Sequence, residues 1–309
     1  MIVVSQVSGM EVRSFLEELV IEIMKIIIPI MKLDNRKSII VAESANPKLI
    51  VVRAQDLLTK KGADLSELFY KIKSSGGIHK FLDYNGKIIL SFIMRDNLLR
   101  KTGVPIWSDL LDGLKPDYFM TPDCETYDNE YDYSKKQIKK CLVETIELMR
   151  LFPEIKPIGL VKGCDRNQVL IHYRILKNLG MKIFVLHSGD FFRHGDNGKI
   201  QRLKAYASLI KEKDNILLLS GFGCQKRLEE FSFVDGFITY SHMVNAQHNV
   251  VFEGRKRVKN TRMTYIEQCK HNLKMMVLNL KDSFKQTKLW EFEVRWVAEL
   301  ESQDQIIQK

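Results

Sequence analysis

The chain is a series of short apolar runs, rich in β-branched residues, that alternate with longer amphipathic stretches. Near-continuous apolar runs are typical of strands that are buried on both faces of a parallel sheet. Eight runs are predicted as strands, at residues 38–44, 49–54, 88–93, 118–123, 157–163, 182–189, 216–221 and 236–241. Helical patterns fill most of the gaps between them, as at residues 134–152, 166–179 and 199–211.

This alternation predicts a closed parallel (β/α)8 TIM barrel with extra helices at both ends of the chain. A doubly wound open sheet is the alternative. Ser134 is expected to cap the helix at 134–152, and Gly180 to end the helix at 166–179. The apolar stretch 19–33 is predicted as a buried or amphipathic helix, because it is too short and too interrupted to span a membrane.

The five cysteines show no paired spacing, and no signal peptide is visible. This pattern predicts reduced thiols in a cytoplasmic protein that has no membrane partner.

Positive charge is concentrated towards the C-terminus. The formal net charge is +10, and residues 255–288 carry +8 of it, from ten basic and two acidic residues. A one-sided basic surface is typical of proteins that bind phosphate backbones, whereas a solvated lysine-rich helix is the simpler alternative. Five cations are predicted to contact nucleic acid: Arg255, Lys256, Arg257, Lys259 and Arg262. We expect a barrel domain at residues 1–260 and a basic helical extension at 261–309, packed on the barrel.

In a parallel barrel, ligands bind where strands end and loops begin. Polar and small residues cluster at six such places: 91–96, 123–125, 161–164, 187–190, 220–223 and 240–242. They suit a polar, planar ligand, and the glycines among them let backbone approach it closely. The alternative is that strand ends are polar simply because loops begin there.

Six collinear segments carry a resemblance to a known family. Gly76–Leu82 reads Gly-Gly-Ile-His-Lys-Phe-Leu, and Pro116–Glu125 is a strand ending in Pro-Asp-Cys-Glu. Four shorter segments follow in order at residues 159–163, 186–190, 219–223 and 234–237. Over residues 38–257 their order and spacing resemble the tRNA-guanine transglycosylase family, including its branch that acts on DNA.

The resemblance implies the same barrel and a base-exchange reaction, in which a guanine in tRNA or DNA is replaced by a 7-deazaguanine. It implies a carboxylate nucleophile, a covalent sugar–enzyme intermediate and a target nucleotide that leaves its stack. It also implies base-binding roles for five residues: Asp123, Lys162, Gly163, Ser188 and Gly189. Asp123 matches the aspartate that reads the base, and Lys162 stands where the family has a glutamine.

The chain departs from the family pattern at both carboxylates of the reaction. Ser91 occupies the place of one aspartate, and Ile238 occupies the place of the nucleophile. Ser91 and Asp190 are the candidate catalytic residues, and Asp96 or Glu125 are further carboxylates that could stand in for the missing ones. After residue 241 the chain has only Cys269 with three histidines, so we expect neither the family's zinc site nor another cofactor.

Two functions therefore stay open. The first is a divergent transglycosylase with a relocated carboxylate. The second is an inactive homologue that binds nucleic acid, as a homodimer or as the partner subunit of an active transglycosylase.

Overall fold

The computed structural model describes residues 26–33, 35, 38–41, 47–59, 61 and 64–283, with only the backbone at 193–195. Eight parallel strands form a closed barrel, in chain order around the ring. The strands are β1 Ile26–Met31, β2 Leu49–Arg53, β3 Lys87–Ser91, β4 Tyr118–Met120, β5 Lys156–Val161, β6 Ile183–His187, β7 Ile216–Ser220 and β8 Gly236–Thr239. The predicted closed (β/α)8 barrel is thus confirmed over the open sheet.

The first strand closes the ring. β1 pairs with β2 on one side and with β8 on the other, where Ile28 lies opposite Ile238. The barrel interior is filled by every second side chain of the strands, as in other small parallel barrels. These side chains form one apolar cluster that includes Ile28, Val51, Ile89 and Leu160. The intervening residues face outward and pack under the helices in two larger clusters.

One predicted barrel strand is wrong and one barrel strand was missed. Residues 38–41 form a helical turn instead of a strand, and residues 42–44 lie outside the described residues. Ser38 and Val41, three residues apart, are the buried positions of this turn. The missed strand is β1, which lies inside the stretch 19–33 that was predicted as a helix. The part of that stretch before Ile26 lies outside the described residues.

Helices follow the strands on the outside of the barrel. Their bounds are α1 Glu67–Ser74, α2 Ile78–Leu82, α3 Asp96–Leu99, α4 Val104–Leu114, α5 Tyr131–Leu151, α6 Arg166–Asn178, α7 Asn197–Ile210 and α8 Ser241–Gln247. The three helices predicted above are confirmed as α5, α6 and α7. Gly180 follows α6 with a φ of 91°, which suits a glycine beyond a helix end.

Ser134 does not cap α5. The helix begins three residues earlier, with Glu130 at its N-cap position. Ser134 is buried in the helix, and its Oγ accepts a hydrogen bond from the backbone N–H of Tyr127. The hydroxyl therefore fixes the preceding loop rather than the helix end.

The barrel is followed by an antiparallel hairpin and a helix. The hairpin strands are β9 Val250–Glu253 and β10 Lys256–Lys259, neither of which was predicted. Residues 265–283 are helical and are called α9 here. The buried side-chain amide of Asn272 on α9 donates to the backbone carbonyls of His242 and Val250. Its side-chain oxygen, Oδ1, accepts from the backbone N–H of Phe252. Residues 284–309 of the predicted extension lie outside the described residues, and the domain division stays a prediction.

Within the described ranges, no helix has the length and apolar character needed to cross a membrane.

Candidate ligand site at the barrel mouth

The carboxyl end of the barrel has a charged and polar mouth. Side chains of a strand face inward and outward in turn. The residue two positions after the last apolar interior residue of each strand is therefore also expected to face inward, at the mouth. For six of the eight strands this position holds Arg53, Ser91, Lys162, His187, Ser220 or Tyr240. Five of these lie in the strand ends that were predicted to form the site, at residues 91–96, 161–164, 187–190, 220–223 and 240–242.

Asp123 and Lys162 form an ion pair across neighbouring strands. Lys162 Nζ lies 2.9 Å from Asp123 Oδ1, with side-chain exposures of 17% for the lysine and 5% for the aspartate. The backbone N–H of Cys124 donates to the same oxygen at 2.8 Å. No other hydrogen bond reaches Asp123 from the part of the chain that the structure describes, so Oδ2 is not used by these two donors.

The lysine of this pair stays protonated. Burial alone would lower the pKa of Lys162, but the negative charge of Asp123, with smaller contributions from Cys124 and Asp190, raises the pKa above its usual value. The backbone of Lys162 is fixed from behind by the buried ring of His172. The Nδ1 atom of His172 lies 3.1 Å from the Lys162 backbone nitrogen and 3.2 Å from its carbonyl oxygen.

Two glycines make room for His187 at the end of β6. A Cβ atom on Gly189 would lie 3.1 Å from His187 Nε2. Gly221 has a φ of 84°, and a Cβ atom there would lie 3.1 Å from the Gly189 nitrogen and 3.3 Å from His187 Nε2. The imidazole is thus packed against backbone, and larger residues at either glycine would displace it.

Asp190 lies on the same side of the mouth as Lys162. It is exposed at the start of the 3-10 segment Gly189–Gly195, directly after β6. Its charge is the smallest of the contributions that raise the pKa of Lys162.

Ser91 ends β3 and is buried on the inward face of the barrel. Its Oγ accepts a hydrogen bond from the backbone N–H of Ile93, and no imidazole or carboxylate of the described residues hydrogen-bonds it. A serine without a base beside it is a weak nucleophile. Ile238, at the other family position, is fully buried in the barrel interior.

The two remaining predicted base-binding residues contact the scaffold. A Cβ atom on Gly163 would lie 2.5 Å from the backbone nitrogen of Val169, so the glycine allows α6 to approach β5. Ser188 is fully buried, and its Oγ donates to the carbonyl of Ser220 at 2.9 Å. The backbone of Ser188 is engaged as well, because its N–H donates to the carbonyl of Ser220 and its carbonyl accepts from the N–H of Phe191.

A second polar cluster lies beside the ion pair and was not predicted as a unit. Glu125 is 5% exposed and accepts hydrogen bonds from Arg100 and from the hydroxyl of Tyr133. Burial alone would raise the pKa of Glu125, but the hydrogen bonds from Arg100, Tyr133 and Tyr127 lower it. The hydroxyl of Tyr127 donates to Asp96 at 2.8 Å. Asp96 and Glu125, the further carboxylates named above, therefore already hold partners.

Part of the family resemblance lies at the opposite end of the barrel. His79 of the Gly76–Leu82 segment contacts Asp117 at 2.9 Å, just before β4, and its other ring nitrogen contacts the carbonyl of Tyr84. Asp117 also accepts from the N–H of Ile88, as Asp235 accepts from Leu217 just before β8. A surface cavity of about 430 Å³ at this end is lined by Lys87 and Asp117, which pair with each other. These contacts are structural.

The predicted basic surface is centred on the hairpin. Lys256, Arg257, Lys259 and Arg262 are exposed. Arg255 is engaged internally, with 2.6 Å to Glu229 and a hydrogen bond to Ser283. Arg257 donates to the carbonyl of Gly223, in the loop that follows β7 at the mouth. The hairpin thus lies beside the mouth rather than at the other end of the barrel.

The described residues contain neither a metal-binding cluster nor a disulfide. Among residues 26–283 with the gaps given above, no group of three or more His, Cys, Asp or Glu side chains could hold a metal ion. The five cysteines, Cys124, Cys141, Cys164, Cys224 and Cys269, are free thiols.

Fold and mouth together define a (β/α)8-barrel protein whose candidate ligand site is the charged carboxyl end of the strands. No protein-family model matches the chain, and no curated protein matches it.

Proposed function

We propose that the barrel mouth binds a guanine-type base and exchanges it in a nucleic acid, as in a transglycosylase. One observation carries this proposal: a buried acceptor, Asp123, and a largely buried donor, Lys162, lie 2.9 Å apart at the carboxyl end of the barrel.

The pair is complementary to one edge of guanine. Guanine offers an acceptor at O6 beside donors at N1 and at the exocyclic amine, whereas adenine offers a donor and an acceptor in the reverse order. Asp123 Oδ2 would accept from the guanine donors, and the Lys162 ammonium would donate to O6. Oδ1 is already fixed by Lys162 and by the N–H of Cys124, so the free oxygen is held in one orientation.

Asp190 would supply the nucleophile. Its carboxylate attacks C1′ of the extruded nucleotide, the C1′–N9 bond breaks, and guanine leaves with the bonding electron pair. Lys162, by donating to O6, stabilises the negative charge that develops on the departing base. The incoming base then attacks C1′ through its ring nitrogen and loses the proton there, Asp190 leaves, and the released guanine takes up a proton. The exchange is therefore neutral in protons and needs no cofactor.

Base exchange is tested by incubating the protein with tRNA or with duplex DNA and labelled guanine or 7-deazaguanine. Incorporation is expected into one of the two nucleic acids, and Asp190→Asn and Asp123→Asn should each abolish it. Asp214→Asn, an exposed carboxylate before β7 at the opposite end of the barrel, is the matched control and should exchange as the wild type does. Failure of the wild-type protein to label either nucleic acid at high protein concentration would refute the proposal.

A second function, binding without turnover, is favoured by the two family positions that lack a carboxylate. Ser91 has no base beside it, and Ile238 is sealed inside the barrel. In that case the exposed cations of the hairpin would bind the phosphate backbone while the mouth holds a base. Tight, salt-dependent binding of tRNA or DNA, with guanine bound but never exchanged, would decide for this function.

A further inference from the structure

Two tyrosine rings are stacked at the rim beside the proposed base site. The ring centroids of Tyr127 and Tyr133 lie 5.9 Å apart, and the ring planes differ by 20°. Both side chains are partly exposed rather than buried in a core. Stacked aromatic rings that remain open to solvent are the surfaces on which unpaired bases are held.

The orientation of both rings is fixed by carboxylates below them. Tyr133 donates its hydroxyl to Glu125 Oε2, and Tyr127 donates to Asp96 at 2.8 Å. Glu125 itself is buried, so the anchor of the pair is rigid. Rings that are already ordered lose little conformational entropy when a base stacks on them.

The tyrosine pair is close to the mouth. Glu125 lies only two residues after Asp123, which limits the distance between their Cα atoms to about 7 Å. A base held at Asp123 and a base stacked on the tyrosines would therefore be neighbours on one strand. The separation suits adjacent nucleotides of a chain whose target base has been extruded.

One exposed cation lies beside the rings, among carboxylates that include Glu125 and Asp96. Arg100 holds Glu125 with a 2.8 Å contact from its guanidinium group while 63% of its side chain remains exposed. The buried carboxylate is thereby neutralised, and the exposed side of the guanidinium group keeps N–H donors that could bond a phosphate.

We propose that Tyr127, Tyr133 and Arg100 form a stacking platform for the base that neighbours the extruded guanine in an unpaired strand. This inference rests on the proposed function, because it places the platform next to a guanine bound at Asp123. With this platform, the barrel mouth is expected to prefer single-stranded or melted nucleic acid.

The platform is tested with the full chain by fluorescence anisotropy, using a short single-stranded oligonucleotide with one central guanine. Tyr133→Phe keeps the ring and loses the hydroxyl, whereas Tyr133→Leu loses the ring. We expect Tyr133→Leu to weaken binding about tenfold and Tyr133→Phe to change it less than about twofold. Tyr70→Leu, on the outer face of α1 with 59% exposure, is the control. If Tyr133→Leu does not fold by circular dichroism, Tyr127→Leu replaces it.

A second probe separates stacking from a general loss of binding. In this probe both nucleotides flanking the guanine are abasic, so no neighbouring base can stack. The wild type and Tyr133→Leu should bind it equally. Equal affinities for the normal probe, or the same loss on both probes, would overturn the platform. Base exchange that fails while the ring effect persists would refute the proposed function alone, and exchange that succeeds without a ring effect would refute the platform alone.

Discussion

Lys162 Nζ lies 2.9 Å from Asp123 Oδ1, and the backbone N–H of Cys124 donates to the same oxygen. One carboxylate oxygen is thus held from two directions at the carboxyl end of the barrel. Because both side chains are nearly buried, each charge is stabilised mainly by the opposite charge of its partner.

Removing either charge of this pair should destabilise the fold. We expect Lys162→Met to lower the free energy of unfolding by about 3 kcal/mol, since it leaves Asp123 buried and unpaired. Urea denaturation at neutral pH measures the loss. The matched control is Lys73→Met, whose ion pair with Asp112 is exposed on both sides and should contribute little. Equal effects of the two variants would show that the mouth is open to water.

Gly221→Ala should be more damaging than Gly180→Ala, although both glycines have a positive φ. At Gly180 a Cβ atom meets nothing within 4 Å, so only backbone strain of about 1 kcal/mol is expected. At Gly221 the methyl group also presses on Gly189 and His187, which should bring the cost to about 3 kcal/mol. Thermal or urea unfolding of the two variants tests the difference, and equal losses would contradict the described packing of His187.

Two buried histidines should make the protein less stable in mild acid. Burial lowers the pKa of His172 and of His242 to about 4, and the charge of Lys162 adds to the effect at His172. Unfolded histidine titrates near pH ~6.5, so the stability contributed by the neutral rings is complete above that pH and is lost as the pH falls towards 4. Between pH ~7 and pH ~5 we expect a loss of about 2 kcal/mol for each histidine.

Urea unfolding at these two pH values is the measurement, and His172→Gln should have a flatter pH dependence than the wild type. An unchanged dependence would mean that the pKa of this ring is the same in the folded and the unfolded protein.

The five predicted nucleic-acid contacts should not be equivalent. Lys256→Gln is expected to reduce the slope of log affinity against log salt by about 0.9, the contribution of one phosphate contact. Arg255→Gln should leave the slope unchanged, because Arg255 is already paired with Glu229. A salt series with tRNA or DNA measures both slopes. Identical slopes for wild type and Lys256→Gln would place the nucleic acid elsewhere.

Most of the barrel could be predicted because strands buried on both faces leave short, continuous apolar runs in the sequence. The first strand, β1, could not be predicted in this way. Ile26–Met31 continues an apolar stretch that starts before it, and periodicity alone does not separate such a strand from a buried helix. Pro29 is also unusual in a strand with neighbours on both sides, yet it lies in β1 opposite Thr239 of β8.

The part of the site that lies at the strand ends could be predicted, because the strands themselves were predicted. Asp123 and Lys162 follow neighbouring parallel strands, so their closeness follows from the topology. The tyrosine platform depends on loop conformation and on Arg100, which reaches Glu125 from 25 residues away in the chain. No regular spacing in the sequence predicts that the two tyrosines, Glu125 and Arg100 come together. Ser188 shows the opposite failure, because a residue at a strand end turned its hydroxyl to a neighbouring carbonyl rather than to the mouth.

The central claim, that the mouth recognises the guanine edge through Asp123 and Lys162, is tested most directly by calorimetric titration of the protein with guanine and with adenine. The account predicts binding of guanine, no measurable binding of adenine, and loss of guanine binding in Asp123→Asn with the fold intact. Equal affinity for the two bases, or unchanged guanine binding in Asp123→Asn, would contradict it.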